Sequence, residues 1–160
     1  RIHDSTMPPL AKAAGNYLNS ILATQESRRN GYDESILLDL SGNVSEASGE
    51  NIFLVRKNKI YTPFFSDSAL EGITRESAMT IAKELGYEVI ERPIPRTELY
   101  LADEIFLTGT AAEIVAVTSI DGHAVGNGKE GPISKNIRET YGKVVSAGSK
   151  EHMDWLTPVW

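Results

Sequence analysis

Four clusters of residues have types and spacings that could do chemistry. Lys12 stands alone among small residues in the run Ala11-Lys12-Ala13-Ala14-Gly15-Asn16-Tyr17. Solvated helix faces usually hold several charges, and cations favour helix C-termini over helix starts. A lysine drawn partly out of water there has its ammonium disfavoured and its amine made available. Taken alone, the pattern is more often an ordinary surface lysine. The second cluster, Ser45-Glu46-Ala47-Ser48-Gly49-Glu50-Asn51, sets two acids among small residues that let a flat ligand approach the backbone. The third, Leu70-Glu71-Gly72-Ile73-Thr74-Arg75, puts a glycine before a helix start. Free amides and a hydroxyl at the positive end of the helix dipole would suit an anion. The fourth, Thr108-Gly109-Thr110-Ala111-Ala112-Glu113, is a tight turn with two hydroxyls that can face a phosphate or carboxylate. Each of the last three, alone, is more often an ordinary polar turn or helix cap.

Positioning these clusters requires a mixed set of elements. Residues 1–9 read as extended, ending in Pro8-Pro9, and a long helix over 10–29 follows, with Leu18, Ile21 and Leu22 at helical spacing. Asn30-Gly31 supplies its stop. Residues 35–40 read as a short buried strand, and 51–56 with 59–62 as a hairpin about Lys57-Asn58. An amphipathic helix over 74–85 sets Ala78, Ile81, Ala82 and Leu85 on one face and stops at Gly86. Strands over 89–94, 104–107 and 113–120, a short helix over 97–102 and a last helix from Pro132 to about 145 complete the pattern. No repeat or low-complexity tract interrupts it. The expected fold class is α/β (mixed α+β) with a mixed sheet, in one domain over 1–160.

Composition narrows the function classes. Lys plus Arg is 16 and Asp plus Glu is 22, a formal net charge of −6. No basic stripe is available to neutralise nucleic-acid or membrane phosphates, so no nucleic-acid or membrane partner is expected. Zero cysteines exclude disulfides, thiolate chemistry and Cys-based zinc sites, and suit a reducing cytoplasm. No apolar run approaches the roughly 20 residues needed to cross a bilayer. His3, His123 and His152 lack metal-ligand spacing, so no metal is expected. Arg28-Arg29 suits a solvated helix end, and Trp155 and Trp160 suit packing against the domain or a partner subunit.

In this order and together, the clusters resemble the pyridoxal-phosphate-dependent fold type IV aminotransferases, and within them the branched-chain amino-acid aminotransferases. The lysine, glutamate, Gly-Ile-Thr and Thr-Gly-Thr-Ala-Ala-Glu segments all have counterparts there. So does the run Ile120-Asp121-Gly122 with Gly126-Asn127-Gly128 and Gly131-Pro132. The resemblance covers essentially the whole chain. It implies Lys12 as the Schiff-base and proton-shuttling lysine, and Glu46 as the partner of the ring nitrogen. Tyr17 would bond the ring's phenolic oxygen and Leu70 would pack on the ring. Gly72, Ile73 and Thr74 would hold the phosphate, with Thr110 adding a contact. Gly109, Thr110 and Ala111 would line the substrate-carboxylate site. The implied fold is the larger, C-terminal cofactor-binding domain of the family, a mixed sheet or pseudo-barrel with flanking helices.

The implied reaction moves the amino group of leucine, isoleucine or valine to 2-oxoglutarate, with pyridoxal 5′-phosphate as electron sink. The family's N-terminal domain, which supplies an arginine and much of the substrate pocket, is expected to be absent from this chain and required for full activity. A homo-oligomer is expected by the same resemblance. D-amino-acid aminotransferases and aminodeoxychorismate lyases share the lysine, the glutamate and the Gly-Ile-Thr-like loop, and they stand as alternatives. The Ala-Gly-Asn-Tyr and Ser-Gly-Glu-Asn contexts favour the branched-chain class. A non-catalytic remnant is the alternative from another class.

Overall fold

The structure is a computed structural model and describes residues 1–157. Trp160 therefore lies outside the described residues. The chain opens with turns over 3–7 and an irregular stretch over 8–13. A 3-10 turn, Ala14–Asn16, leads into helix α1, Tyr17–Arg29. Strands β1 (Ile36–Leu38) and β2 (Val44–Ala47) form a small antiparallel sheet. Strands β3 (Asn51–Arg56) and β4 (Lys59–Thr62) form a hairpin. Helix α2 (Ile73–Glu84) crosses over to β5 (Glu88–Glu91), which lies parallel to β4. A 3-10 segment, Arg96–Leu101, precedes β6 (Glu104–Gly109) and β7 (Glu113–Val117). The short pair β8 (Ser119–Ile120) and β9 (His123–Ala124) leads to helix α3 (Pro132–Val145).

The main sheet has the order β5-β4-β3-β6-β7, with only the β4–β5 pair parallel. Its register sets Ile52 opposite Leu107, Phe53 opposite Phe106 and Leu54 opposite Ile105. Side chains alternate across a strand, so β3 and β6 feed two cores. Ile52, Leu54, Ile105 and Leu107 pack with Val44, Ala47, Ile94 and Leu99 on one face. Phe53, Val55 and Phe106 pack with Ala78, Ile81, Ala82, Ile133 and Ile137 of α2 and α3 on the other. The Phe53 and Phe106 rings stack at 4.8 Å, tying the central pair together. Burial on both faces explains why these strands read as continuous apolar runs.

Most expected elements are present. Lys57 and Asn58 take φ of 52° and 60°, the two-residue hairpin turn that matches strand twist. Gly86, at φ 85°, ends α2. Four expectations need correction. The stretch over 1–9, expected to be extended, turns at 4–7, where the Thr6 and Met7 amides donate to the His3 carbonyl. The helix expected over 10–29 begins in its α form at Tyr17, so Lys12 stands on an irregular loop. Its stripe of Leu18, Ile21 and Leu22 is 64%, 51% and 59% exposed, whereas Ser20 and Ser27 face the domain. The strand expected over 113–120 breaks after Val117 and resumes as the β8–β9 pair. No helix among the described residues is long and apolar enough to cross a membrane.

Candidate active site

One cavity of about 290 Å³ collects the chemistry-bearing clusters. It is lined by Lys12 and Tyr17 from the N-terminal loop and α1, by Glu46 of β2, and by Leu70, Gly72, Ile73 and Thr74 at the start of α2. Gly109 and Thr110 come from the β6–β7 turn. Ala111, expected beside the substrate carboxylate, is exposed and is not among the lining residues. A second cleft of about 480 Å³ lies between β1 and β7 and is lined by none of these residues.

Lys12 reaches the cavity from the loop over 8–13. The loop turns tightly: the Ala11 amide donates to the Pro8 carbonyl at 3.2 Å, and the Ala13 amide to the Ala11 carbonyl at 2.8 Å. The Asn16 side chain, 4% exposed, donates from Nδ2 to the carbonyls of Pro8 (2.9 Å) and Ala11 (2.7 Å). Tyr17 follows as the first residue of α1, 38% exposed.

Glu46 lies on β2 and is buried, not in the open turn its small neighbours suggested. Its Oε2 accepts the Leu70 amide at 2.7 Å, and its Oε1 pairs with the Arg1 guanidinium at 2.7 Å. The Arg1 and Glu46 side chains are 5% and 8% exposed. Arg1 also donates from Nε to the Ser68 carbonyl at 3.1 Å. Burial pushes the Glu46 carboxyl above its ordinary value; the Leu70 amide, Arg1 and Lys12 pull the other way without cancelling it. Desolvation outweighs the ion pair because both partners had to leave water. Arg1 is a site residue that pattern reading missed. A lone charge in an irregular N-terminal stretch carries no periodicity, and its burial depends on β2 and the segment over 68–70 closing over it.

The start of α2 is held by Asn51, a second missed residue. This buried first residue of β3 donates from Nδ2 to the Leu70 carbonyl at 2.7 Å. A Cβ at Gly72 would collide with Asn51 Oδ1, so a glycine is required there for packing reasons. With Gly72 as N-cap and no capping side chain, the first amides of α2 stand at the positive end of a 12-residue helix. Across the cavity, Gly109 approaches Glu50 closely. The Glu50 carboxyl is raised by burial and by nearby Glu34.

These residues fit a flat, phosphate-bearing cofactor of the kind the resemblance implies. Thr108 Oγ1 and Asn16 Oδ1 are buried with no hydrogen-bond partner among the described residues, and both residues line the cavity. Buried polar atoms of this kind are uncommon and call for a partner. The α2 N-terminus suits an anion, Glu46 a protonated ring nitrogen, and Lys12 an aldehyde. No cluster of three or more His, Asp or Glu suited to a metal occurs among the described residues.

Comparison with known proteins gives a consistent picture. The profile of the family described as amino-transferase class IV matches residues 2–120. A branched-chain-amino-acid aminotransferase of Salmonella typhimurium is 48% identical over 159 residues, covering 99% of this chain and 52% of that protein. A probable branched-chain-amino-acid aminotransferase of Aquifex aeolicus is 50% identical over 161 residues, covering 52% of its own length. Among solved structures, the Thermoproteus uzoniensis branched-chain aminotransferase with norvaline superposes with a TM-score of 0.96 at 50% identity. It covers all of this chain and 53% of that one. A T.th. branched-chain amino acid aminotransferase complexed with N-(5′-phosphopyridoxyl)-L-glutamate gives 0.95 at 47% identity, covering 98% and 53%. The chain spans about half the length of the curated relatives it matches.

Proposed function

The chain belongs to the class IV aminotransferases, and on that premise we propose that it is the cofactor-binding domain of a branched-chain amino-acid aminotransferase. The observation that carries this reading is the meeting of Lys12, Tyr17, Glu46, the α2 N-terminus and the β6–β7 turn on one cavity. The cofactor is pyridoxal 5′-phosphate, as the ligands named with the related structures support. The substrates are leucine, isoleucine or valine, with a 2-oxo acid as acceptor. The location is the cytoplasm, which zero cysteines support. The outward apolar face of α1 supports contact with further polypeptide, from an additional domain or a second copy in an oligomer.

When bound, the cofactor supplies an aldehyde that takes up amino groups and a ring that accepts electrons. The chain's residues do the rest. Lys12 Nζ binds the cofactor and, in its free form, moves the proton from the substrate α-carbon. Glu46 holds a proton on the ring nitrogen, and Arg1 with the Leu70 amide holds Glu46 in place and favours its charged form. Gly72, Ile73 and Thr74 bind the phosphate at the positive end of α2, with Thr110 opposite. Leu70 packs on the ring and Tyr17 orients its phenolic oxygen. Gly109, Thr110 and Ala111 of the β6–β7 turn face the substrate carboxylate.

The test is an absorbance spectrum with added pyridoxal phosphate, followed by borohydride reduction and peptide mass analysis, beside a Lys12→Ala variant. A near-violet band trapped on Lys12 and absent from the variant supports the assignment. Its bleaching by L-leucine but not D-alanine supports the branched-chain class over the D-amino-acid one. Trapping on another lysine overturns it. So does the absence of any adduct in a polypeptide of the relatives' full length.

A further inference from the structure

Lys12 is carried by backbone that no regular element holds. The loop over 8–13 lies between a turn and the 3-10 start of α1, and Lys12 itself is exposed. A four-methylene side chain on such a loop would sample many positions. What fixes the loop is one side chain. Asn16 is almost fully buried, and its two amide hydrogens reach the carbonyls of Pro8 and Ala11, the second of them adjacent to Lys12. Its backbone amide closes the same stretch onto the Ala13 carbonyl at 3.0 Å. Lys12 is thus bracketed on both sides by bonds that begin at Asn16.

The geometry is specific to this side chain. The two acceptors are separated by a tight turn, and only a planar NH₂ group offers two divergent donors from one short stem. An aspartate has the same shape with no donor, and would set an oxygen against two carbonyl oxygens. The two donated bonds fix the orientation of the Asn16 amide, which leaves Oδ1 without a partner among the described residues.

We infer that Asn16 is a positioning residue for Lys12, acting through the Pro8 and Ala11 carbonyls to present the Lys12 amine to the cavity. The inference rests on Lys12 being the cofactor lysine. Placement within a fraction of an ångström separates a productive amine from an idle one. Asn16 therefore governs the rate at which Lys12 condenses with an aldehyde more than it governs the stability of the fold.

The experiment compares the parent chain with Asn16→Asp, Asn16→Ala and, as a stability control, Val144→Ala in the distant α3 core. Each is mixed with pyridoxal phosphate at a temperature where circular dichroism shows equal folded fractions. The carbon–nitrogen double bond formed with loss of water is reduced by borohydride at timed intervals. Mass analysis gives the rate of labelling at Lys12 and, as an internal reference, at the exposed Lys83 and Lys135. Amide hydrogen exchange of Ala11 and Ala13 is read on the same proteins without cofactor. The expected result is a fall of about tenfold or more in Lys12 labelling for both Asn16 variants, with faster exchange at Ala11 and Ala13. Reference lysines stay unchanged, and Val144→Ala labels Lys12 like the parent. Equal Lys12 labelling in the parent and Asn16→Asp overturns the role of Asn16 and leaves the cofactor reading standing. A parent that labels Lys12 no faster than the reference lysines, both in this chain and in a polypeptide of the relatives' full length, overturns the cofactor reading itself, and the inference with it.

Discussion

Glu46 and Arg1 show how a single buried pair sets a reactive group. The Glu46 carboxyl lies above its ordinary value because burial outweighs the Leu70 amide, Arg1 and Lys12. A carboxyl whose folded value is raised stabilises the fold below its unfolded value, and that contribution is lost as pH rises through the raised one. Ionised Glu46 is therefore a cost to folding at neutral pH, which Arg1 reduces. Replacing Arg1 with Met should move the Glu46 titration, followed by carbon-13 NMR of labelled glutamate, further upward. At pH 7 it should cost about 1–3 kcal/mol in denaturant unfolding, the usual penalty for leaving a buried polar group unpaired. Adding Glu46→Gln to that variant should return part of the loss. An unmoved titration would mean that the Leu70 amide alone sets the carboxylate. Cofactor retention should also decline on the acid side, starting at a higher pH than a solvated glutamate would dictate. Pyridoxal-phosphate fluorescence across a pH series checks this. Lys12, Glu46, Gly72 and Thr74 were legible through the order of their clusters, which resembles one family, since each cluster alone reads as an ordinary lysine, turn or helix cap. Arg1, Asn16 and Asn51 were not, because each acts through backbone partners that only the folded chain brings near.

At the scale of elements, two glycines carry more than turn geometry. Gly131 precedes Pro132 at the start of α3, and a Cβ there would run into the Glu104 carboxyl. That carboxyl, buried on β6, accepts the Ile133 amide (3.0 Å), the Ser134 amide (2.8 Å) and the Ser134 hydroxyl (2.7 Å). It caps α3 from another strand. Gly131→Ala should destabilise by about 2 kcal/mol or more, since overpacking and loss of the cap coincide. Gly72→Ala should do the same at α2 and also weaken phosphate binding, which titration with inorganic phosphate would report. A Gly72→Ala protein with parent melting temperature would overturn the steric argument. Strands β3, β4, β6 and helices α2 and α3 were legible because period and turn chemistry agree at each. The start of α1 was not. Alanines at 11, 13 and 14 favour helix, yet Asn16 takes the loop's carbonyls first and holds residues 8–13 out of it. The fate of Leu18, Ile21 and Leu22 was equally hidden. Helical spacing says that they share a face, not which way the face points.

At the scale of the whole molecule, two cores share one central strand pair, and α1 turns its apolar stripe outward. Leu22, 59% exposed, contributes little to either core. Leu22→Glu should change the chain's stability by no more than about 0.5 kcal/mol while lowering self-association in sedimentation. A large loss of stability would show that the stripe is packed in solution. The order of the main sheet bears on kinetics as well. The β3–β4 hairpin and the α2 crossover to β5 join near neighbours in sequence, but β3 meets β6 only across the register from Asn51–Thr108 to Val55–Glu104. Local pairings close cheaply and distant ones late. The late strand is the one that delivers Gly109 and Thr110 to the cavity. If β6 docks late, a ligand gripped between the α2 N-terminus and that turn finds its full set of contacts only beyond the folding barrier. It should slow unfolding in proportion to its affinity and leave the refolding rate as it was.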